Sequence, residues 1–190
     1  MGEGDDDESD VARVLAGDVE AFAGIVRRWQ RRLLGLAWRF CRDRARAEDM
    51  AQEAFLKAFR SLPQFRGEAS FSTWLTAVAL NVYRSRLRTD GPPLLGLDAA
   101  RVLAALPGAP QAVIERERAE AVRRAVLALP ARYRDALVLY YFEERDVSEA
   151  AAVLGVPEGT LKARLARARE LLKRRAAMLA AGTAPPDERS

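Results

Sequence analysis

Residues 146–175 read DVSEAAAVLGVPEGTLKARLARARELLKRR, a pattern suited to gripping a polyanion rather than to breaking a bond. Asp146 and Glu149, three residues apart, predict a capping box that opens a short helix over Ala150, Ala151 and Ala152. Leu154 and Gly155 end that helix, and Pro157 suits the first turn of another. Two helices about a short Gly-containing turn form a helix-turn-helix signature, with small residues where the helices cross steeply. In the second helix Leu161, Leu165, Ala168 and Leu172 make one apolar stripe, and Lys162, Arg164, Arg167 and Arg169 lie around the rest. Seven bases stand against two acids between Glu158 and Arg175. Such a helix can lie in a major groove, meeting phosphates with some side chains and base edges with others. The plainer reading, a solvated amphipathic helix, does not account for the turn directly in front of it.

Two further constellations lie upstream. Glu48, Asp49, Gln52 and Glu53 put three acids and an amide on one helix of an otherwise basic chain. They read either as solvated acids near a helix N-terminus, where the dipole favours them, or as a docking face for a basic protein. The stretch FRGEASFSTWLTAVALNVYRSRLR, 65–88, interleaves Phe65, Phe71 and Trp74 with Arg66, Arg84, Arg86 and Arg88. Aromatic faces among arginines suit unstacked bases and a single-stranded backbone. The alternative for Phe71 and Trp74 is a place in the core.

What is missing excludes whole classes of chemistry. The chain has no histidine and one cysteine, Cys41, so imidazole bases, His-dependent triads, Cys/His zinc sites and an internal disulfide are all out. Cys41 reads as a small core residue. No phosphate-cradling glycine loop or metal cluster appears, and neither enzymatic activity, a cofactor, a metal nor a small-molecule substrate is expected. The 190 residues carry a net charge of +4, but residues 1–10 alone hold six acids and no base. The body, residues 11–180, therefore carries thirty Lys and Arg against nineteen Asp and Glu. Arg, which makes up 28 of the 31 bases, offers a planar fork that matches phosphate and guanine edges, although GC-rich coding also enriches it. No apolar run approaches the ~20 residues that cross a bilayer, and the acidic N-terminus is unlike a signal peptide, so a cytoplasmic protein is expected.

The elements that must position these groups are all helical. Phe22, Ile25, Val26, Trp29, Leu33, Leu36, Ala37 and Phe40 recur with the period of a buried helix face, and similar runs cover about 46–61 and 70–88. Pro63 stops the second run. The Pro/Gly-containing segment at 91–117 reads as a linker, with a short helix possible at 98–106. Helical pattern resumes near 111 and runs to Leu129, after which Pro130 opens a helix carrying Tyr133, Ala136, Leu137, Tyr140 and Tyr141. The expected organisation is all-α: an acidic disordered tail at 1–10, a helical module at 11–90, the linker, a second module at 118–176 and a disordered tail at 177–190. The acidic decapeptide would be placed to screen the basic surfaces.

These residues resemble a known family. AGDVEAFAGIVRRW at 16–29, RAEDMAQEAFLKAFRSLPQFRGEASFSTWLTAVALN at 46–81 and ALPARYRDALVLYYFEERDVSEAAAVLGVPEGTLKARLARARELL at 128–172 are similar, in order and separation, to bacterial RNA polymerase sigma factors of the extracytoplasmic-function group. The resemblance implies two domains, region 2 and region 4. It implies that Glu48, Asp49, Gln52 and Glu53 dock on the clamp coiled coil of the core polymerase's largest subunit. It further implies that Phe65, Arg66, Phe71, Trp74, Asn81, Arg84 and Arg88 melt and read the minus-10 element, Asn81 by the edge of a flipped base. Thr160, Lys162, Arg164, Arg167 and Arg169 then match the helix that reads duplex minus-35 DNA. An anti-sigma partner is implied as well. Ser85 stands where the family often has Asp, Ala163 and Ala166 stand where larger residues are common, and RDVSEAAAV departs from the usual SYEEIAE-like run. A stand-alone helix-turn-helix regulator is the alternative, but it leaves the acidic face and the first module without a role. A module binding RNA or another protein, with no promoter role, comes after it.

Overall fold

The computed structural model describes residues 3–90, 125–143 and 145–180, and every regular element among them is helical. In chain order these are α1 (Glu3–Leu15), α2 (Phe22–Cys41), α3 (Arg44–Ser61), α4 (Phe71–Asp90), α5 (Ala131–Leu137), α6 (Val147–Leu154) and α7 (Glu158–Ala180). The linker expected at 91–117 and the last ten residues lie outside the described residues. The chain divides into two compact units, Met1–Pro93 with Arg145–Pro157, and Leu94–Glu144 with Glu158–Ser190.

In the first unit α2, α3 and α4 share a core through the stripes the sequence sets out. Ile25, Trp29, Leu33, Leu36, Ala37 and Phe40 of α2 are buried with Met50, Ala54, Phe55 and Ala58 of α3 and Leu75, Ala79, Leu80 and Tyr83 of α4. The Tyr83 hydroxyl, inside this core, donates to the Leu33 carbonyl at 2.9 Å. Val26, counted in the predicted stripe, is only half-buried. Asp43 caps α3 by accepting from the Arg46 amide at 2.7 Å. The end of α2 carries no sequence signal: Arg42 takes the left-handed conformation, φ 55°, that glycine usually fills, and its amide donates to the Trp38 carbonyl.

The N-terminus corrects the sequence reading. In place of a disordered acidic tail, Glu3–Leu15 is a helix lying on α2. Two of its acids have partners there: Asp7, 3% exposed, accepts from Trp29 Nε1 at 2.9 Å and from Arg28 Nε at 2.9 Å. Asp10 accepts from Arg28 Nη2 at 2.7 Å. Burial by itself pushes the Arg28 guanidinium down, but its bonds to Asp10 and Asp7 outweigh that and hold it above its ordinary value. Gly24 permits the close approach, since a Cβ there would stand 2.2 Å from Asp10 Oδ2.

Cys41 is buried as expected, and desolvation pushes its thiol up. A thiol raised in the folded state leaves stability unaffected below the unfolded pKa of about 8.5, then lowers it as pH rises and the unfolded chain ionises first. The stability advantage of wild type over Cys41→Ala, from urea unfolding, should therefore shrink between about pH 7.5 and about pH 9.5. A pH-independent difference would contradict the burial argument.

In the second unit α5 runs into a π-helical turn, Val138–Phe142, closed by the Glu143 amide on the Val138 carbonyl at 3.1 Å. Ala136, Leu137, Val138 and Leu139 are buried, as are Leu161, Leu165, Ala168 and Leu171 of α7. Leu171 takes the place the sequence assigned to Leu172, which is only half-buried. The helix α7 also continues to Ala180, past the boundary expected at 176.

Candidate polymerase and nucleic-acid interfaces

The acidic face forms as a face of α3. Asp49 and Gln52 are exposed, and Glu48 is half-exposed with its carboxylate accepting from Arg44 Nε at 2.9 Å. Glu53 differs, because it pairs with Arg86 across to α4 and so also ties two helices together. Beside this face lies an open groove of about 420 Å³ whose second wall the sequence did not reveal. Glu48, Ala51, Gln52 and Phe55 line one side, and Val26, Gln30, Arg31 and Leu34 of α2 line the other. The half-buried Val26 was the available signal, an apolar residue left over from a full stripe.

The aromatic constellation sits at the start of α4. Phe65, Phe71 and Trp74 form a closed triangle of rings with centroids 5.7, 5.3 and 5.6 Å apart. Phe71 is 4% exposed and is the core-side anchor of that cluster, while Phe65 and Trp74 keep part of their surface. Ser70 caps the helix, accepting from the Thr73 amide at 3.2 Å, and Gly67, φ 71°, turns the loop ahead of it. Trp74, Asn81 and Arg88 are seven residues apart and so share one side of α4, with Arg84 one turn from Asn81. Asn81 and Arg88 are exposed, and the Asn81 carbonyl oxygen accepts from Arg84 Nη1 at 3.1 Å. Arg66 is exposed on the loop.

The capping box is present: the Glu149 amide donates to Asp146 Oδ1 at 2.8 Å and the Asp146 amide to Glu149 Oε2 at 3.3 Å. Gly155, φ 62°, closes α6, and Pro157 falls one residue before α7 rather than within its first turn. The basic residues of α7 then separate into two groups. Lys162 and Arg167 flank the outward Ala163 and Ala166, and Thr160 is also exposed. Arg164 is half-buried at the margin of the apolar stripe, and Arg169 donates to the Tyr141 hydroxyl at 2.9 Å while lying over that ring. Arg167 bonds Glu170, whose carboxyl is held below the usual range by that hydrogen bond first and by Arg167 and Arg174 charge beyond it. Among the described residues no His, Cys, Asp and Glu group could hold a metal ion, and no helix is long and apolar enough to cross a membrane.

Comparison with known proteins agrees with this geometry. Residues 25–91 match the family described as Sigma-70 region 2, and residues 119–172 match Sigma-70, region 4. The RNA polymerase sigma-H factor of Pseudomonas aeruginosa is 36% identical over 176 residues, 87% of this chain and 91% of that protein. The ECF RNA polymerase sigma factor SigW of Bacillus subtilis is 33% identical, covering 86% of this chain and 93% of its own length. Among solved structures, CnrH in complex with the cytosolic domain of CnrY is similar at a TM-score of 0.64 and 26% identity, covering 93% of this chain and 98% of that one. The chain belongs to the extracytoplasmic-function group of RNA polymerase sigma factors. It binds core RNA polymerase and directs it to promoter DNA, as members of that family do.

Proposed function

We propose how this sigma factor divides that work among its residues. Residues 11–90 act as the polymerase-docking and minus-10 module, residues 118–176 as the minus-35 module, and residues 91–117 as the connection. Asp49 and Gln52 make the central polymerase contact, with Glu48 beside them and the α2–α3 groove receiving apolar side chains of the partner. Phe65 and Trp74 offer ring surface to unpaired bases, and Phe71 holds both rings in place from the core side. Asn81, exposed on the same side of α4, takes the edge of an extruded base, and Arg66, Arg84 and Arg88 hold the strand's phosphates.

The observation that carries the duplex reading is the division of bases along α7. Lys162 and Arg167, with Thr160, flank two alanines small enough for close approach to a groove floor. Arg164 and Arg169, at the margins of that face, suit the phosphates on either side. Lys162→Ala and Arg167→Ala should each weaken binding to minus-35 duplex and reduce the dependence of log K on log salt by about 1. An unchanged salt slope in both variants would remove α7 from the interface.

We infer that the polymerase does the chemistry, in the cytoplasm where both meet DNA, and that this chain is not itself an enzyme. We infer that a protein antagonist, an anti-sigma factor, is a further partner, by analogy with CnrH bound to the cytosolic domain of CnrY. No feature favours the stand-alone regulator, which leaves the acidic face and its groove unused.

A further inference from the structure

The π-helical turn Val138–Phe142 that follows α5 carries two consecutive tyrosines, and turns of this kind recur at functional sites. Val138 and Leu139 are buried in it, whereas Tyr140 is half-buried and Tyr141 is 50% exposed. The Tyr141 ring stands edge-on to Tyr140, with centroids 4.9 Å apart and planes at 86°, a contact that fixes its orientation. Arg169 of α7 comes onto that ring from 28 residues away. Its guanidinium carbon lies 5.7 Å from the ring centroid, and its Nε donates to the Tyr141 hydroxyl at 2.9 Å.

This partner differs in kind from those of other bases on the same helix. Lys162 faces Glu158 at 3.6 Å, and Arg167 and Arg174 bond Glu170 at 2.6 and 2.5 Å. A carboxylate orients a base but offsets its charge, whereas a hydroxyl orients it and leaves the charge whole. Among the described residues Arg169 enters no ion pair. With Nε engaged, the N–H groups of its two Nη nitrogens remain, in the fork that matches two oxygens of a phosphate. The Tyr141 oxygen accepts from Arg169, so its own proton is left to donate. Lys162, Arg169 and Lys173 are all exposed and, at intervals of seven and four residues, share one side of α7. Resting on the reading of α7 as the duplex-facing helix, we propose that Tyr141 and Arg169 form one cradle for a DNA backbone phosphate, in which the Tyr141 hydroxyl positions the guanidinium without neutralising it and donates to the same phosphate. A phosphodiester fits it better than a base edge, since the cradle offers donors only and lies at the margin of the reading face.

Anisotropy of a fluorescein-labelled duplex of mixed sequence, titrated with the full chain over a range of salt, tests this, because every sequence carries the same phosphates. Tyr141→Phe keeps the ring and every charge, and should weaken binding about fivefold in the otherwise wild-type chain. In an Arg169→Ala background the same change should do nothing further, as expected of two groups that act as one. Arg169→Ala should lower the slope of log K against log salt by about 1. Arg169→Lys should restore that slope but not the affinity, since an ammonium keeps the charge and loses the fork. Equal affinity of wild type and Tyr141→Phe, or the same loss with and without Arg169, would overturn the cradle. Lys162→Ala on the same duplex reads the α7 assignment separately: an unchanged slope there, with the Tyr141–Arg169 coupling intact, would sink the groove reading of α7 and leave the phosphate cradle standing.

Discussion

Asp49→Arg with Gln52→Arg should weaken binding to core RNA polymerase roughly a hundredfold, a loss of about 2.7 kcal/mol. Both side chains are exposed on α3, and among the described residues Asp49 enters no ion pair, so reversal at these positions leaves the fold's own pairs intact. A basic partner surface would then face two positive charges where it had met one negative, and like charges across an interface cost several kcal/mol. Glu53 is the poor choice for this test despite being on the same face. Its pairing with Arg86 joins α3 to α4, and replacing it would mix a binding defect with a folding one. Fluorescence anisotropy with labelled variant and wild type gives the comparison, and circular dichroism checks the fold. Unchanged affinity would return the acidic face to solvent and move the contact elsewhere.

Asp7→Ala should destabilise the first unit by about 3 kcal/mol, measured as a lower urea midpoint. The substitution removes the acceptor for both Trp29 Nε1 and Arg28 Nε and leaves a largely buried guanidinium with Asp10 as its remaining carboxylate partner in this cluster. Breaking a buried pair by deleting one partner is costly because the other charge stays desolvated. Asp7→Asn keeps an acceptor for the indole and should cost less. Equal and negligible effects of the two would mean that α1 is held by something other than these bonds.

This N-terminal helix also marks where sequence reasoning stops. The stripes of α2, α3 and α4 were legible because each repeats within one helix, at a period set by helical geometry. The capping box and the Gly155 turn were legible for the same reason: each is complete within a few residues. The acids of residues 1–10 have the composition of a disordered tail, and what orders them is Arg28 and Trp29, more than twenty residues away on another helix. Arg145 and Thr76 meet across 69 positions and leave no trace in local pattern. The left-handed Arg42 lacks the glycine or asparagine that would have announced it. For the site residues, type and spacing suggested the three surfaces and offered the core as the alternative for Phe71, which is where it lies, but not that Glu53 would be shared with Arg86 or that Arg169 would lie against Tyr141.

The most direct test of the central claim is in vitro transcription on genomic DNA of the encoding organism, using its core polymerase with and without this chain and mapping the 5′ ends of the transcripts. Directed initiation predicts a set of new, sharply defined starts that share two sequence elements upstream. Transcripts with the same ends as core polymerase alone would contradict it.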